Sequence, residues 1–372
     1  MSRAVKSSEI FEPLRPHSQV EFQLHFETQY KGFTCNLTLS CYFMPGNFWT
    51  SISDDTSLLV TLPEMVQFML NISNVHLMGF QGLQDLKYLL FFFLLLMFCL
   101  IMVGNTLIIV LIYLSRNLHS PMYFFLTQLS LSDILLATDI IPNTLSVVLH
   151  EGATMSLGAC LAQFYFFGIA ECTECLLLTV MSYDRYMAIC HPLHYNITIN
   201  ESFCMKSVVS AWIVSFFVGL MDELGFCRLQ FCRANVIDHF FCEYGPIVGL
   251  SCSDTFSLKI QTLILGFLLT ACPFVLIVAS YVYIIFTILK IQSQSGRQKA
   301  FLTCSSHLTV VSIFYGTLIS AYLFPTRGKL LILGKITSLL YTVVTPLLNP
   351  LIYSLRNRDF MEAFKHFKKS ID

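Results

Sequence analysis

From Tyr88 onward the chain is a succession of long apolar runs separated by short polar breaks. A bilayer core of about 30 Å needs about 20 apolar residues per spanning helix. Seven runs meet that need: Tyr88–Leu114, Met122–Leu149, Cys160–Ile189, Ser207–Leu224, Phe256–Leu289, Ala300–Phe324 and Leu333–Leu355. The first is almost pure hydrocarbon. The others carry isolated polar residues that lipid cannot satisfy and that must face neighbouring helices. The pattern predicts an all-α membrane protein, a seven-transmembrane helix bundle with an interior. After the last run, "RNRDFMEAFKHFKKS" sets Phe360, Phe364 and Phe367 at helical spacing with Arg and Lys opposite. That predicts a short C-terminal helix lying in the lipid interface.

Residues 1–64 break the pattern, being polar, mixed in charge and punctuated by Pro13, Pro16, Pro45 and Pro63. They show no sustained apolar period and are expected to form a poorly ordered extension without assigned function, with residues 65–372 as the membrane domain. The apolar core of a secretory signal is missing at the start, so the first run is expected to act as its own insertion signal.

Composition sharpens the picture. Of 372 residues, 55% are hydrophobic and only 12% charged, too apolar for a soluble domain. The formal net charge is −1, which supplies no pull toward nucleic acid. Arg116 follows run one, Arg185 and Lys206 flank the loop after run three, Lys290, Arg297 and Lys299 follow run five, and Arg356, Arg358, Lys365, Lys368 and Lys369 follow run seven. Lys and Arg stay cytoplasmic in short loops, which predicts a multi-pass plasma-membrane protein with its N-terminus outside. Arg327, Lys329 and Lys335, between runs six and seven, oppose the bias. Cys227, Cys232, Cys242 and Cys252 crowd one polar loop, as expected on an oxidising face. That loop lacks the paired Cys-x-x-Cys spacing of a structural zinc site, and no metal is expected.

At the end of run three, "MSYDRYMAIC" (Met181–Cys190) sets Asp184 beside Arg185 and Tyr186. A charge inside a membrane needs a reason. Asp184 can hold Arg185 in an ion pair whose opening frees the guanidinium for a partner. An Arg reaching for the headgroups explains the charge but not the whole string. Five further strings occur in order: Gly104–Asn105, "LHSPMYFFL" at Leu118–Leu126, "LSLSD" ending at Asp133, "KAFLTCSSHLTVV" at Lys299–Val311 and "PLLNPLIYSLRN" at Pro346–Asn357. Together they resemble the olfactory (odorant) receptor family of rhodopsin-like G protein-coupled receptors, over about residues 71–370.

The resemblance implies roles residue by residue. Asp184, Arg185 and Tyr186 match the family's coupling motif, Asn349, Pro350 and Tyr353 its Asn-Pro-x-x-Tyr switch, and Tyr281 and His307 positions near the swing of the arginine. Asn105, Asp133, Glu174 and Asn349 match a buried polar network that could hold a sodium ion; no other cofactor is implied. Cys160–Cys242 matches the receptor-wide disulfide and Cys232–Cys252 the family's additional bridge, with the pairing of Cys227 left open. Asn71, in Asn71-Ile72-Ser73, matches the usual glycosylation site. Asn36 also heads a sequon, whereas Asn196 lies on the cytoplasmic side. Family members have short N-termini, so an upstream extension or gene-model artefact, with a start at Met65 or Met69, is expected. The partners implied are a small odorant and a stimulatory, olfactory-type heterotrimeric G protein, and the location implied is the cilia of olfactory sensory neurons.

From Cys160, the residues Phe164, Phe167, Gly168, Glu171 and Cys175 form one stripe of a helix. Similar receptors line their cavity with spans three, five and six, which adds Gly266, Tyr315, Thr317, Ile319 and Tyr322. Such a cavity takes small, mostly apolar organic ligands. Glu171 within it either stays protonated or meets a cation. Amine receptors carry an Asp one turn higher, where this chain has Phe167, so a neutral, hydrogen-bonded Glu171 is expected. A receptor for a nonvolatile amine or peptide is the alternative. A channel or transporter would need charged pore residues or an inverted repeat, and an enzyme a nucleophile beside a base; neither pattern is found.

Overall fold

The computed structural model describes residues 20–30, 33–43, 73–81, 84–232, 235–323, 331–356 and 358–371. Two compact units result, Met1–Pro63 and Glu64–Asp372. The first contains an antiparallel hairpin of β1 (Val20–Tyr30) and β2 (Phe33–Phe43). Its register sets Val20, Phe22, Leu24 and Phe26 opposite Phe43, Cys41, Leu39 and Leu37. Along both strands apolar residues alternate with polar ones, a period of two.

Among its described residues the second unit holds seven helices long and apolar enough to cross a membrane. They are α1 (Lys87–Leu114), α2 (Pro121–Leu149), α3 (Leu157–Cys190), α4 (Glu201–Phe226), α5 (Phe256–Lys290), α6 (Gln294–Leu323) and α7, which runs through Leu331–Leu339, Leu340–Val344 and Thr345–Arg356. An eighth, α8 (Arg358–Ile371), follows as expected for the interfacial helix. Local chemistry sets several starts. Pro121 occupies the first turn of α2, where its missing N–H costs nothing. The Ser156 hydroxyl accepts from Ala159 N at 3.1 Å to cap α3, and the Asn200 side chain accepts from Phe203 N at 2.9 Å to cap α4.

Helix α3 is the most buried of the seven and α5 the least. Phe92, Val103, Leu263 and Phe286 remain exposed on α1 and α5, the surface that lipid covers. Helices α5 and α7 each contain a π turn, at Phe267–Ala271 and Leu340–Val344, which shifts the facing of every residue beyond it.

A lid closes one end of the bundle. In it β3 (Asn74–Leu77) is the central strand, antiparallel to β4 (Ala153–Ser156) and parallel to β5 (Val236–Ile237). Gly152 turns the chain into β4 at φ +137°, and a Cβ there would stand 2.8 Å from the His76 ring. Only glycine fits. Both expected disulfides are present, Cys160–Cys242 joining the lid to α3 and Cys232–Cys252 closing the loop before α5.

Lys335 departs from its expected place in a polar break. It lies within α7, buried, donating to the Gly79 carbonyl at 2.6 Å and to Asp238. One of the basic residues that opposed the charge bias is therefore neutralised inside the lid. Arg327, Lys329 and Asn71 lie outside the described residues.

Candidate functional site

At the end of α3 away from the lid, the Arg185 Nε donates to Asp184 Oδ2 at 2.8 Å, and its Nη2 reaches the same oxygen. The other carboxylate oxygen of Asp184 accepts from the Tyr195 hydroxyl at 2.7 Å. Asp184 is fully buried and the Arg185 side chain only 11% exposed. A buried charge is tolerated when its partner and remaining lone pairs are both satisfied, and this carboxylate meets both conditions. Tyr195 sits in a single helical turn, Tyr195–Thr198, in the loop after α3. No local signature marks it, and sequence reasoning missed it. Tyr186 turns away, with its hydroxyl 3.1 Å from His191 Nε2.

The other residues expected to form the switch, Tyr281, His307 and Tyr353, approach the same region from α5, α6 and α7. The Tyr281 hydroxyl lies 2.7 Å from His307 Nδ1, with the rings stacked. Tyr281, His307 and Tyr353 all lie within electrostatic reach of Arg185. The Tyr353 hydroxyl is buried without a hydrogen-bond partner. A freed guanidinium would find an unused acceptor there.

Nearer the middle of the bundle, Asn349 Nδ2 donates to both carboxylate oxygens of Asp133, at 3.0 and 3.1 Å. Glu174 faces Asp133 from α3, with its Oε1 unbonded. Two carboxyl groups so placed, away from water, need a proton or a cation between them. The expected network of four residues is divided, because Asn105 bonds the backbone carbonyls of Ile101 and Pro346, each at 3.1 Å, rather than the carboxyl pair.

Toward the lid, Cys160, Phe164, Phe167 and Cys175 are buried along α3 as the stripe predicted. The two phenylalanine rings pack on α4, the lid and α7: Phe164 on Phe226 at the end of α4 at 5.3 Å, and Phe167 on Phe241 at 5.5 Å and Tyr341 at 5.9 Å. A Cβ built on Gly168 would meet nothing within 4 Å, so open space adjoins this half-buried position. Gly266 corrects its expectation, because it is exposed among Leu263, Ile264 and Phe267 on the lipid face of α5. Tyr315 is buried against Phe274 and Phe314. Ile319 corrects its expectation. It falls beside the buried stripe of Val311, Phe314, Tyr315 and Leu318 and is 44% exposed, turning toward lipid. Thr317 bonds the Phe314 carbonyl of its own helix, and the side chain of Tyr322 lies outside the described residues.

Sequence reasoning also missed the polar ring under the lid. Gln163 accepts from Cys242 N at 2.9 Å and donates to the Asp139 carbonyl at 3.0 Å, tying lid, α2 and α3 together. Tyr341 donates to Glu243 Oε1 at 3.1 Å. His239 Nε2 stands 3.3 Å from Glu243 Oε2 without hydrogen-bond geometry. Burial and the nearby Lys335 push the His239 imidazole down to about 3, keeping it neutral, and burial raises the Glu243 carboxyl.

Comparison with known proteins agrees with this geometry. The family model described as olfactory receptor matches residues 94–369. Human olfactory receptor 11L1 is 44% identical over 294 residues, 79% of this chain and 91% of its own length. Mouse olfactory receptor 1M1 is 45% identical over 289 residues, 78% and 92% of the two chains. Human olfactory receptor 8H1 is 43% identical over 293 residues, 79% and 94%. A chain of seven membrane-spanning helices that this family model matches over residues 94–369, and that is 43–45% identical to these receptors over 78–79% of its length, belongs to the olfactory receptor family.

Proposed function

We propose that the protein is an odorant-activated G protein-coupled receptor, in which a small, mostly apolar organic ligand binds toward the lid and opens the Asp184–Arg185 latch at the opposite end. The observation that carries this reading is the satisfied latch itself, which Tyr195 completes. A ligand that binds the open arrangement better than the closed one shifts the equilibrium between them. Arg185 is then released toward Tyr281 and Tyr353. The partner is a stimulatory, olfactory-type heterotrimeric G protein that raises cyclic AMP. The receptor domain is 65–372, the lid faces outside, and the location is the plasma membrane of sensory cilia. One small cation, sodium by its affinity for hard oxygens, fits between Asp133 and Glu174, where the unbonded Glu174 Oε1 supports it. A cyclic AMP reporter assay of the full chain with an odorant panel tests the reading. A concentration-dependent response to at least one odorant is expected, and silence at confirmed surface expression contradicts it.

A further inference from the structure

Glu243 is gripped under the lid by Tyr341 at 3.1 Å and approached by His239 at 3.3 Å. Glu171 lies one turn beyond Phe167 on α3, whose ring meets that of Tyr341 at 5.9 Å, and Tyr341 in turn bonds Glu243, which brings the two acids to the same side of the lid, within electrostatic reach of each other. Among the described residues no Lys or Arg pairs with either acid, and the buried base nearby, Lys335, is taken by Asp238 and the Gly79 carbonyl. Two half-buried carboxyls side by side without a Lys or Arg partner are relieved by a proton or by a cation.

Three independent observations point to an occupant. His239 is 3% exposed, yet neither ring nitrogen makes a side-chain hydrogen bond, the Phe241 backbone being its hydrogen-bonding neighbour and Glu243 standing 3.3 Å away. Gly168, one turn from Glu171 on the same face of α3, borders open space. The walls are ring faces: Phe167 meets Phe241 and Tyr341, and His239 meets Phe241 at 4.8 Å. Aromatic faces around a cavity attract organic cations.

We propose that this recess binds the ammonium head of a small primary amine, its N–H groups shared among Glu243, Glu171 and His239 and its apolar tail running into the space beside Gly168. This names the ligand chemistry within the receptor reading above and rests on that reading for the position of the cavity. In this reading Glu171 carries a negative charge when the amine is bound, where the sequence alone led to the expectation of a neutral, hydrogen-bonded Glu171.

The test is thermal unfolding of the purified full-chain protein in detergent at pH 7, with hexylamine and 2-phenylethylamine set against 1-hexanol and 2-phenylethanol. The amines are expected to raise the Tm at about tenfold lower concentration than the matched alcohols. Glu243→Gln and Glu171→Gln should each abolish that preference without changing the alcohol response, and Glu243→Asp should keep part of it. Equal stabilisation by amines and alcohols, no stabilisation by amines, or a preference that survives both Gln variants overturns the proposal. A parallel cyclic AMP assay separates the two readings. Amine-specific stabilisation without signalling leaves the site standing and defeats the receptor reading. Signalling to alcohols alone does the reverse.

Discussion

The Asn105 amide donates at 3.1 Å to the carbonyl of Pro346, the acceptor that Pro350, four residues on, cannot bond because proline has no N–H. Helix α1 thus supplies the donor that α7 lacks, and Gly104 lets the two approach: a Cβ there would lie 3.2 Å from Pro350 Cγ. Asn105→Ala leaves a buried carbonyl unpaired, at a cost of about 1–3 kcal/mol. A lower Tm of the purified protein is expected. Adding Pro350→Ala, which restores the helical bond, should recover part of the loss; a double variant no better than Asn105→Ala contradicts the assignment.

The bond from Tyr195 to Asp184 holds the latch in its closed geometry. A hydrogen bond to a charged group contributes about 1.5–3 kcal/mol, and about 1.4 kcal/mol is tenfold in an equilibrium. Tyr195→Phe should therefore raise basal cyclic AMP several-fold at matched surface expression. An unchanged baseline would show that Tyr195 contributes nothing to closure.

The two disulfides close loops of unequal size, with their cysteines 82 and 20 residues apart. In the chain-entropy account the longer loop gains about 4–5 kcal/mol and the shorter about 3 kcal/mol. Cys160→Ser is expected to cut surface expression more deeply than Cys232→Ser, as read by flow cytometry on unpermeabilised cells.

His239 ties stability to pH. Its imidazole is held down to about 3 against an ordinary value of about 6.5. Both folded and unfolded chains are neutral there above pH 6.5, where the stability from burying it is fully present. As pH falls, the unfolded chain takes up a proton that the folded one refuses, and stability drops by up to about 1.4 kcal/mol per unit. Glu243, shifted upward by burial, acts in the opposite sense at lower pH, between its ordinary and folded values. Lowering the pH from 7 to 5.5 should depress the Tm of the natural protein more than that of His239→Gln. Parallel losses in the two proteins would remove His239 from the account.

The spans were legible because a bilayer imposes one length and one polarity on every crossing. Even so, α4 starts at Glu201 rather than Ser207, and α6 at Gln294 rather than Ala300, because helices run on past the membrane where caps such as Asn200 let them. The latch and both disulfides were legible as contiguous strings matched to a family. The lid was not. Strand β3 is four residues that acquire meaning only beside β4 and β5, far along the chain. Lys335 reads as a loop base until Asp238 and Gly79 meet it, and Glu243 reads as a polar neighbour of Cys242 until Tyr341 and Glu171 approach from other helices. Ile319 failed for a geometric reason: the resemblance names the spans that line a cavity but not which way each residue faces, and Ile319 lies beside the buried stripe of α6 and not on it.

The central claim is that ligand binding toward the lid is read out through release of Arg185. The most direct measurement is the cyclic AMP response to a confirmed agonist in cells carrying the natural receptor or Arg185→Ala, at matched surface expression. The response should vanish in the variant while agonist binding, followed by thermal stabilisation of the purified protein, persists. A full response without Arg185 would contradict the account.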